Sequence, residues 1–139
     1  MGINYEELYT GLGFLLYSIA ACDGKVRPEE RATLKALIEK HWLPLENSRD
    51  DLGTDEGRYV DIGFDYAHDE AIPPEKAFER FADHVRREPA NFDEGLRHMI
   101  FQSAVEIAAA CAGRNKAELT RLVALQNLFK TYPVPLRTK

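Results

Sequence analysis

The chain has 139 residues, of which 45% are hydrophobic and 29% are charged, and its formal net charge is −5 at pH 7. This length suits one domain with its own core, and the frequent apolar residues disfavour disorder. The acidic total excludes general nucleic-acid binding, which needs lysine and arginine to neutralise phosphates. No stretch approaches the roughly 20 apolar residues of a membrane span, and Met1–Glu7 is not a signal peptide, so we expect a cytoplasmic protein without a transmembrane segment.

Helical periodicity first appears over about residues 4–22, and β-strand alternation is absent from the sequence. Asp23-Gly24 ends this helix, and Pro28 suits the first position of a second helix that continues to about His41. The two predicted apolar faces consist of Tyr5, Leu8, Leu12, Leu15, Leu16 and Ile19 in the first helix, and of Ala32, Leu34, Leu37, Ile38 and Trp42 in the second. Together they predict a first helical hairpin over about 4–42.

Two further helices are predicted over about 55–88, after a polar connection at 46–54. The third helix runs over about 55–71, and the fourth begins at Pro73-Pro74 and ends before Pro89. On the third helix one side carries Tyr59, Ile62, Gly63 and Tyr66, with Val60, Phe64 and Ala67 nearby. The aromatic residues expected in the core are Trp42, Tyr59, Phe64, Tyr66, Phe78 and Phe81.

A second hairpin is predicted over about 91–131, followed by a short tail at 132–139. Asn91 or Asp93 is the expected N-cap of the fifth helix, which reaches Ala112-Gly113. The sixth helix runs over about 116–131 and is expected to bury Leu119, Leu122, Val123, Leu125 and Phe129. The whole pattern predicts a single-domain, all-α bundle of about six helices.

The two ends of the chain resemble each other. Ser18-Ile19-Ala20-Ala21-Cys22-Asp23-Gly24-Lys25 is similar to Ile107-Ala108-Ala109-Ala110-Cys111-Ala112-Gly113-Arg114, and each copy precedes a helix with an early glutamate, Glu30 or Glu118. Both cysteines lie in alanine-rich helical stretches, where a small buried thiol is the expected state. The similarity predicts two pseudo-repeated helical hairpins.

The first copy, Asp23-Gly24-x-Val26-x-x-x-Glu30 between two helices, resembles the tellurite-resistance TerB-like family. The resemblance implies a compact α-helical domain without known catalytic chemistry, linked to tellurite and other chemical stress, to acidic divalent-metal sites and to membrane-associated assemblies. The second copy departs from the pattern, because Ala112 and Asn115 stand where the family has aspartate and a hydrophobic residue. A site built from two acidic motifs would therefore have only the first of them in this chain.

The motif has two interpretations. In the structural one, Gly24 terminates the first helix, Val26 plugs the turn, and Asp23 and Glu30 interact with N–H groups at the start of the second helix. In the functional one, the carboxylates of Asp23 and Glu30 bind one Ca²⁺, Mg²⁺ or Mn²⁺ weakly, with other oxygen ligands completing the shell.

A second candidate metal site lies on the third helix, where Asp61, Asp65, His68 and Asp69 share one side with Arg58. If these carboxylates converge inside the bundle, they favour a small metal-dependent enzyme. If they form an outward stripe, they are a solvated helix surface. Nucleophile elbows, glycine-rich phosphate loops and Cys-x-x-Cys pairs are absent from the sequence.

Charge is distributed unevenly along the chain. Residues 46–70 contain nine acidic and two basic residues, whereas residues 111–139 contain six basic residues and one acidic residue. A solvated surface is the expected meaning of this asymmetry. The TerB-like resemblance, in contrast, implies a non-enzymatic, stress-related interaction or sensing module with a protein partner and no certain cofactor. A homodimer and peripheral membrane association remain open alternatives at this point.

Overall fold

The structure is a computed structural model that describes residues 5–21, 26, 28–37, 58–109 and 116–133. The described residues form six α-helices, one 3-10 turn and no β-strand, which confirms the predicted all-α bundle. The helices are α1 (Tyr5–Ala20), α2 (Pro28–Leu37), α3 (Arg58–Asp69), α4 (Pro74–Arg87), α5 (Glu94–Ala109) and α6 (Lys116–Thr131), and the 3-10 turn is Pro89–Asn91. None of the helices in these ranges is long and apolar enough to cross a membrane.

Helix α1 is the centre of the bundle. It packs against α3, α4, α5 and α6, and residues 12–21 are all buried. The predicted apolar residues Leu8, Leu12, Leu15, Leu16 and Ile19 are in the core, as expected. The burial extends around the whole helix, because other helices cover its remaining sides, and this is the usual environment of a helix that is apolar all round.

Helices α1 and α3 cross in direct backbone contact at two glycines. A Cβ atom on Gly13 would lie 2.7 Å from the amide nitrogen of Phe64 and closer still to the carbonyl oxygen of Val60. A Cβ atom on Gly63 would lie 3.1 Å from the Cα atom of Thr10 and closer still to its carbonyl oxygen. The crossing therefore depends on the absence of a side chain at both positions.

This crossing determines which side of α3 is buried. Val60, Gly63, Phe64 and Ala67 are buried, at the spacing of one helical face. Ile62 and Tyr66 are 53% and 51% exposed, so the prediction that Tyr66 belongs to the core is wrong. The physical reason is that α1 approaches most closely at Gly63, which leaves Ile62 and Tyr66 on the flank of the contact.

A tight turn joins α3 to α4. Ala71 has a φ of 53°, the left-handed conformation that closes many helix C-termini, and the amide of Ile72 donates to the carbonyl of Ala67 at 3.0 Å. The carbonyl of Ile72 accepts a hydrogen bond from the Tyr17 hydroxyl at 2.8 Å, and burial raises the pKa of this hydroxyl. The turn is thereby fastened to α1, and α4 begins at Pro74, as the sequence predicts.

An aromatic cluster joins α4, the 3-10 turn and α6. The ring of Phe81 packs edge-on against the rings of Phe92 and Phe129, with centroids 5.7 and 6.3 Å apart. The Asp93 carboxylate accepts a hydrogen bond from the Leu96 amide at 2.8 Å, which confirms the predicted N-cap of α5. Phe78 is also buried, as predicted.

Helix α6 has its predicted bounds, Lys116–Thr131. Leu125 is buried, but Val123 is 53% exposed, so its expected burial is wrong. The cause is that Leu125 and Leu128 form the buried side of this helix, and Val123 lies away from them. Arg121 donates from Nε to the carbonyl of Ser18 at 3.3 Å and so pairs a cation with the C-terminal end of α1.

Most of the residues that connect the two helices of each predicted hairpin lie outside the described residues, among them Cys22, Asp23, Gly24 and 110–115. Ile38, Trp42 and the polar connection at 46–54 also lie outside them. The pseudo-repeat therefore stays a prediction.

Candidate functional site

The acidic residues of α3 face the basic residues of α2. Arg31 Nη2 lies 2.6 Å from Asp65 Oδ1, and Lys35 Nζ lies 3.8 Å from Asp61 Oδ2. The guanidinium of Arg31 also lies 5.4 Å from the centroid of the Phe64 ring. These side-chain contacts link α2 to the side of α3 on which the sequence places its acidic stripe.

The same acidic residues do not gather around one point. His68 and Asp69 form a separate, solvent-exposed pair, with Nδ1 3.6 Å from Oδ1. Asp61 Oδ1 is shielded from solvent and accepts no hydrogen bond from the described residues, whereas Asp65 Oδ1 is shielded from solvent but contacts the Arg31 guanidinium. Within the described ranges, no group of three histidine, cysteine, aspartate or glutamate residues is placed to hold a metal ion. The metal-dependent enzyme stays a prediction.

Glu30 lies in the first turn of α2 and is fully buried. Asp23, with which it is predicted to share a cation, lies outside the described residues. A buried carboxylate is stable only when partners compensate its charge, and the N-terminal end of a helix supplies part of this compensation. Both interpretations of Glu30, as a helix-start residue and as a metal ligand, agree with its burial.

A surface whose place in the fold could not be told from the sequence lies between α3 and α4, with α1 beneath it. The Phe14 ring of α1 contacts the Tyr66 ring at 6.2 Å, and the Arg80 guanidinium of α4 lies 4.8 Å from the same Phe14 ring. Phe14 is buried, whereas Tyr66 and Arg80 are exposed. We call this surface the α3–α4 face and define it by Tyr66, Ile72, Lys76 and Arg80, with Phe14 at its base; Ile62 is exposed one turn before Tyr66 on α3.

Two grooves meet at Arg80. The first, of about 620 Å³, is lined by Tyr66, Ile72, Pro73, Lys76 and Arg80, together with Glu70, Ala71 and Glu79. The second, of about 470 Å³, lies between α1 and α4 and is lined by Glu6, Glu7, Thr10, Gly11, Phe14, Arg80, Asp83 and Arg87. The α3–α4 face is therefore apolar around Tyr66 and Ile72 and becomes charged along α4.

Arg97 is a buried charged residue that sequence reasoning missed. Its guanidinium donates to the carbonyl oxygens of Phe92, Phe129 (3.0 Å) and Pro89 (3.1 Å), and it stacks on the Phe129 ring at 4.9 Å. Burial lowers the pKa of Arg97. Residue 97 shares the helical face of Ile100 and Ala104, and this placement of an arginine on an apolar stripe is the signal that could have revealed it.

His84 is a second buried titratable residue. It is 5% exposed and packs edge-on against the Phe92 ring, with centroids 5.2 Å apart. Burial lowers the pKa of His84 below its ordinary value of 6.5; the Glu7 carboxylate opposes this shift, and the Arg87 guanidinium adds to it.

The lowered pKa predicts acid destabilisation. As the pH falls from about 7 through 6.5, the unfolded chain takes up a proton at this histidine before the folded chain does, so the free energy of unfolding decreases. Urea denaturation at a series of pH values should show a shallower decrease for His84→Gln than for the wild type. His98→Gln, at an exposed position on α5, is the control and should keep the wild-type dependence. If the free energy of unfolding of His84→Gln decreases with falling pH as steeply as that of the wild type, the prediction is wrong.

The fold and these sites define an all-α helical bundle with an open surface between α3 and α4. A scan against protein-family models, a search of curated proteins and a search of solved structures each found no match.

Proposed function

We propose that the chain is a non-catalytic helical module that works by binding a protein partner. The observation that carries the proposal is the exposure of two large apolar residues on α3. Val60, Gly63, Phe64 and Ala67 form the buried face of this helix, whereas Ile62 and Tyr66, one turn apart on its flank, are both half exposed. Exposed apolar residues beside a groove are typical of interaction sites on small domains.

Site-specific photo-crosslinking in the producing cell tests this proposal. A benzoylphenylalanine residue introduced in place of Tyr66 should form covalent adducts of discrete mass. The same residue in place of Gln102, which is exposed on α5, is the control and should form none at those masses. Adducts of equal yield at both positions, or none at position 66, would contradict the proposal.

The TerB-like resemblance adds a sensing role to this module, with one weak divalent-cation site at Asp23 and Glu30 in the first hairpin. Its support in the structure is the burial of Glu30 at the start of α2. A carboxylate has about four lone-pair positions, so Glu30 can accept a hydrogen bond from the protein and still bind a cation. A stress-related role in the cell follows from the resemblance alone.

Thermal denaturation of chelator-treated protein with added Ca²⁺, Mg²⁺ or Mn²⁺ tests the cation site. A cation at about 100 times its dissociation constant should stabilise the fold by about 2.7 kcal/mol. Asp23→Asn and Glu30→Gln should each abolish this gain, and Glu29→Gln, at the exposed neighbouring position, should keep it. If added cation still stabilises both Asp23→Asn and Glu30→Gln, the cation does not bind at this site.

A further inference from the structure

We propose that the α3–α4 face binds a helix of a protein partner that places apolar side chains against Tyr66 and Ile72 and a carboxylate against Lys76 and Arg80. This inference rests on the proposed function, because it specifies the partner of the binding module. Its support comes from the shape of the face, from its charges and from one glycine of α1.

The shape suits a polypeptide segment rather than a single side chain. Arg80 lines both grooves, so they follow one another along α4, and Phe14 lines the second groove beneath Arg80. The two grooves together extend along α4 from Lys76 to Arg87, a distance of about 16 Å at the rise of an α-helix. Three turns of a partner helix would cover this length.

The charges along α4 select an acidic partner. Glu79 already contacts Arg86 at 3.1 Å, and Arg87 contacts both Glu7 and Asp83, at 3.2 and 3.4 Å. In contrast, the amino group of Lys76 and the guanidinium of Arg80 have no ion pair within the described part of the chain.

Lys76 and Arg80 are one helical turn apart on α4, and both line the larger groove. A carboxylate on the partner would lie within reach of both cations, and Glu70 at the opposite edge of the groove favours a basic group there. The two unpaired cations of the larger groove thus favour a carboxylate at this point of the partner, whereas Glu6 and Glu70 at the outer parts of the two grooves disfavour further acidic groups there.

Gly11 indicates where the partner approaches α1. A Cβ atom on Gly11 would have no heavy atom within 4 Å, whereas Gly13 and Gly63 are required by the helix crossing. A glycine inside a helix lowers its stability relative to alanine, so the fold alone gives no reason for Gly11. It lines the α1–α4 groove, where the missing side chain lets a partner backbone come close to α1.

Two matched synthetic peptides test the inference. Both are 16-residue helical peptides with leucines along one face; one has glutamates beside this face, and the twin has lysines at the same positions. Fluorescence anisotropy should show that the acidic peptide binds wild-type protein at least about tenfold more tightly than the twin. In the Lys76→Glu/Arg80→Glu variant the preference should reverse, whereas Lys130→Glu, an exposed charge reversal on α6, should retain it.

Two further substitutions separate binding from folding. Tyr66→Ser should weaken binding of the acidic peptide at least about tenfold without lowering the urea midpoint substantially. Gly11→Ala should weaken binding and raise the midpoint, because alanine favours a helix more than glycine does and its methyl group meets no atom of the free protein. If Gly11→Ala binds the acidic peptide as tightly as the wild type, the partner backbone does not come close to α1 at Gly11.

Three outcomes would overturn the inference: equal affinity for both peptides, no binding of either, or an unchanged preference in the charge-reversed variant. If sedimentation shows that the same substitutions dissociate a dimer, the occupant is a second copy of the chain and the inference is also overturned. If the peptides fail but crosslinked adducts form specifically at position 66, the acidic helical partner is wrong and the broader partner-binding function is still supported. The failure of this inference can therefore be distinguished from the failure of the proposed function.

Discussion

Replacing Gly63 with alanine is expected to destabilise the fold by about 3 kcal/mol. The added Cβ atom would overlap the carbonyl of Thr10, and backbone atoms cannot move aside as the end of a flexible side chain can. The two helices would have to separate, and the close packing of Phe64 and its neighbours against α1 would be lost with them. Gly13→Ala should have a similar effect for the same reason. Urea denaturation of each variant measures the loss.

Gly11→Ala is the matched control, because it is the same substitution in the same helix at a position with open space around it. It should stabilise the protein by about 0.5–1 kcal/mol, the usual advantage of alanine over glycine in a helix. The Gly13→Ala/Gly63→Ala double variant should lose less than the sum of the single losses, since one separation of the helices accommodates both methyl groups. If Gly63→Ala is as stable as the wild type, the backbone contact between α1 and α3 is wrong.

Replacing Arg97 with methionine is expected to cost about 3 kcal/mol. Methionine keeps the apolar part of the side chain but removes three hydrogen bonds, and it leaves the carbonyl oxygens of Phe92, Pro89 and Phe129 without this donor. The loss should appear in the free energy of unfolding measured with urea. Arg97→Lys should be intermediate, because an ammonium group keeps the charge but does not have the fork of the guanidinium.

Arg86→Met is the control for this substitution. Arg86 is exposed on α4 and its pairing with Glu79 is a surface ion pair, so the expected change is within about 0.5 kcal/mol. The comparison separates the loss of a buried donor from the loss of a positive charge. Equal effects at positions 86 and 97 would contradict the assigned role of Arg97 as a link between the 3-10 turn and α6.

The helices were predictable from the sequence because local signals mark their ends. Pro74 begins α4, Asp93 caps α5, and α6 has the bounds that its periodicity indicates. The 3-10 turn at Pro89–Asn91 was not predicted, since three residues are too few to form a periodic pattern. The left-handed conformation of Ala71 was also not predicted, because this conformation is typical of glycine rather than alanine.

The packing of the helices was less predictable, because it depends on residues distant in the chain. Gly13 and Gly63 meet across the α1–α3 crossing, and neither glycine alone reveals a partner. Tyr66 has the spacing of a core residue on α3, yet the crossing at Gly63 places it on the flank. Periodicity identifies an apolar side of a helix but does not show which part of that side a neighbour covers.

The candidate sites were likewise predictable where they depend on one helix and not where they depend on the packing of several helices. Helical spacing identified Asp61 and Asp65 as a group on one side of α3, but their contacts with Lys35 and Arg31 depend on how α2 packs. Arg80 gave no signal at all, because its role at the α3–α4 face depends on Phe14 from α1 and Tyr66 from α3. A surface formed by residues of three helices cannot be predicted from the sequence pattern of any one of them.

The most direct test of the account is the stability of the Ile62→Ser/Tyr66→Ser double variant, measured by urea denaturation. The account predicts a free energy of unfolding within about 1 kcal/mol of the wild type, because both side chains are half exposed and serve binding rather than folding. In the same variant, benzoylphenylalanine at position 76 should lose the adducts that it forms in the wild-type background. A loss of several kcal/mol, or adducts that persist in the variant, would contradict the assignment of the α3–α4 face as a binding surface.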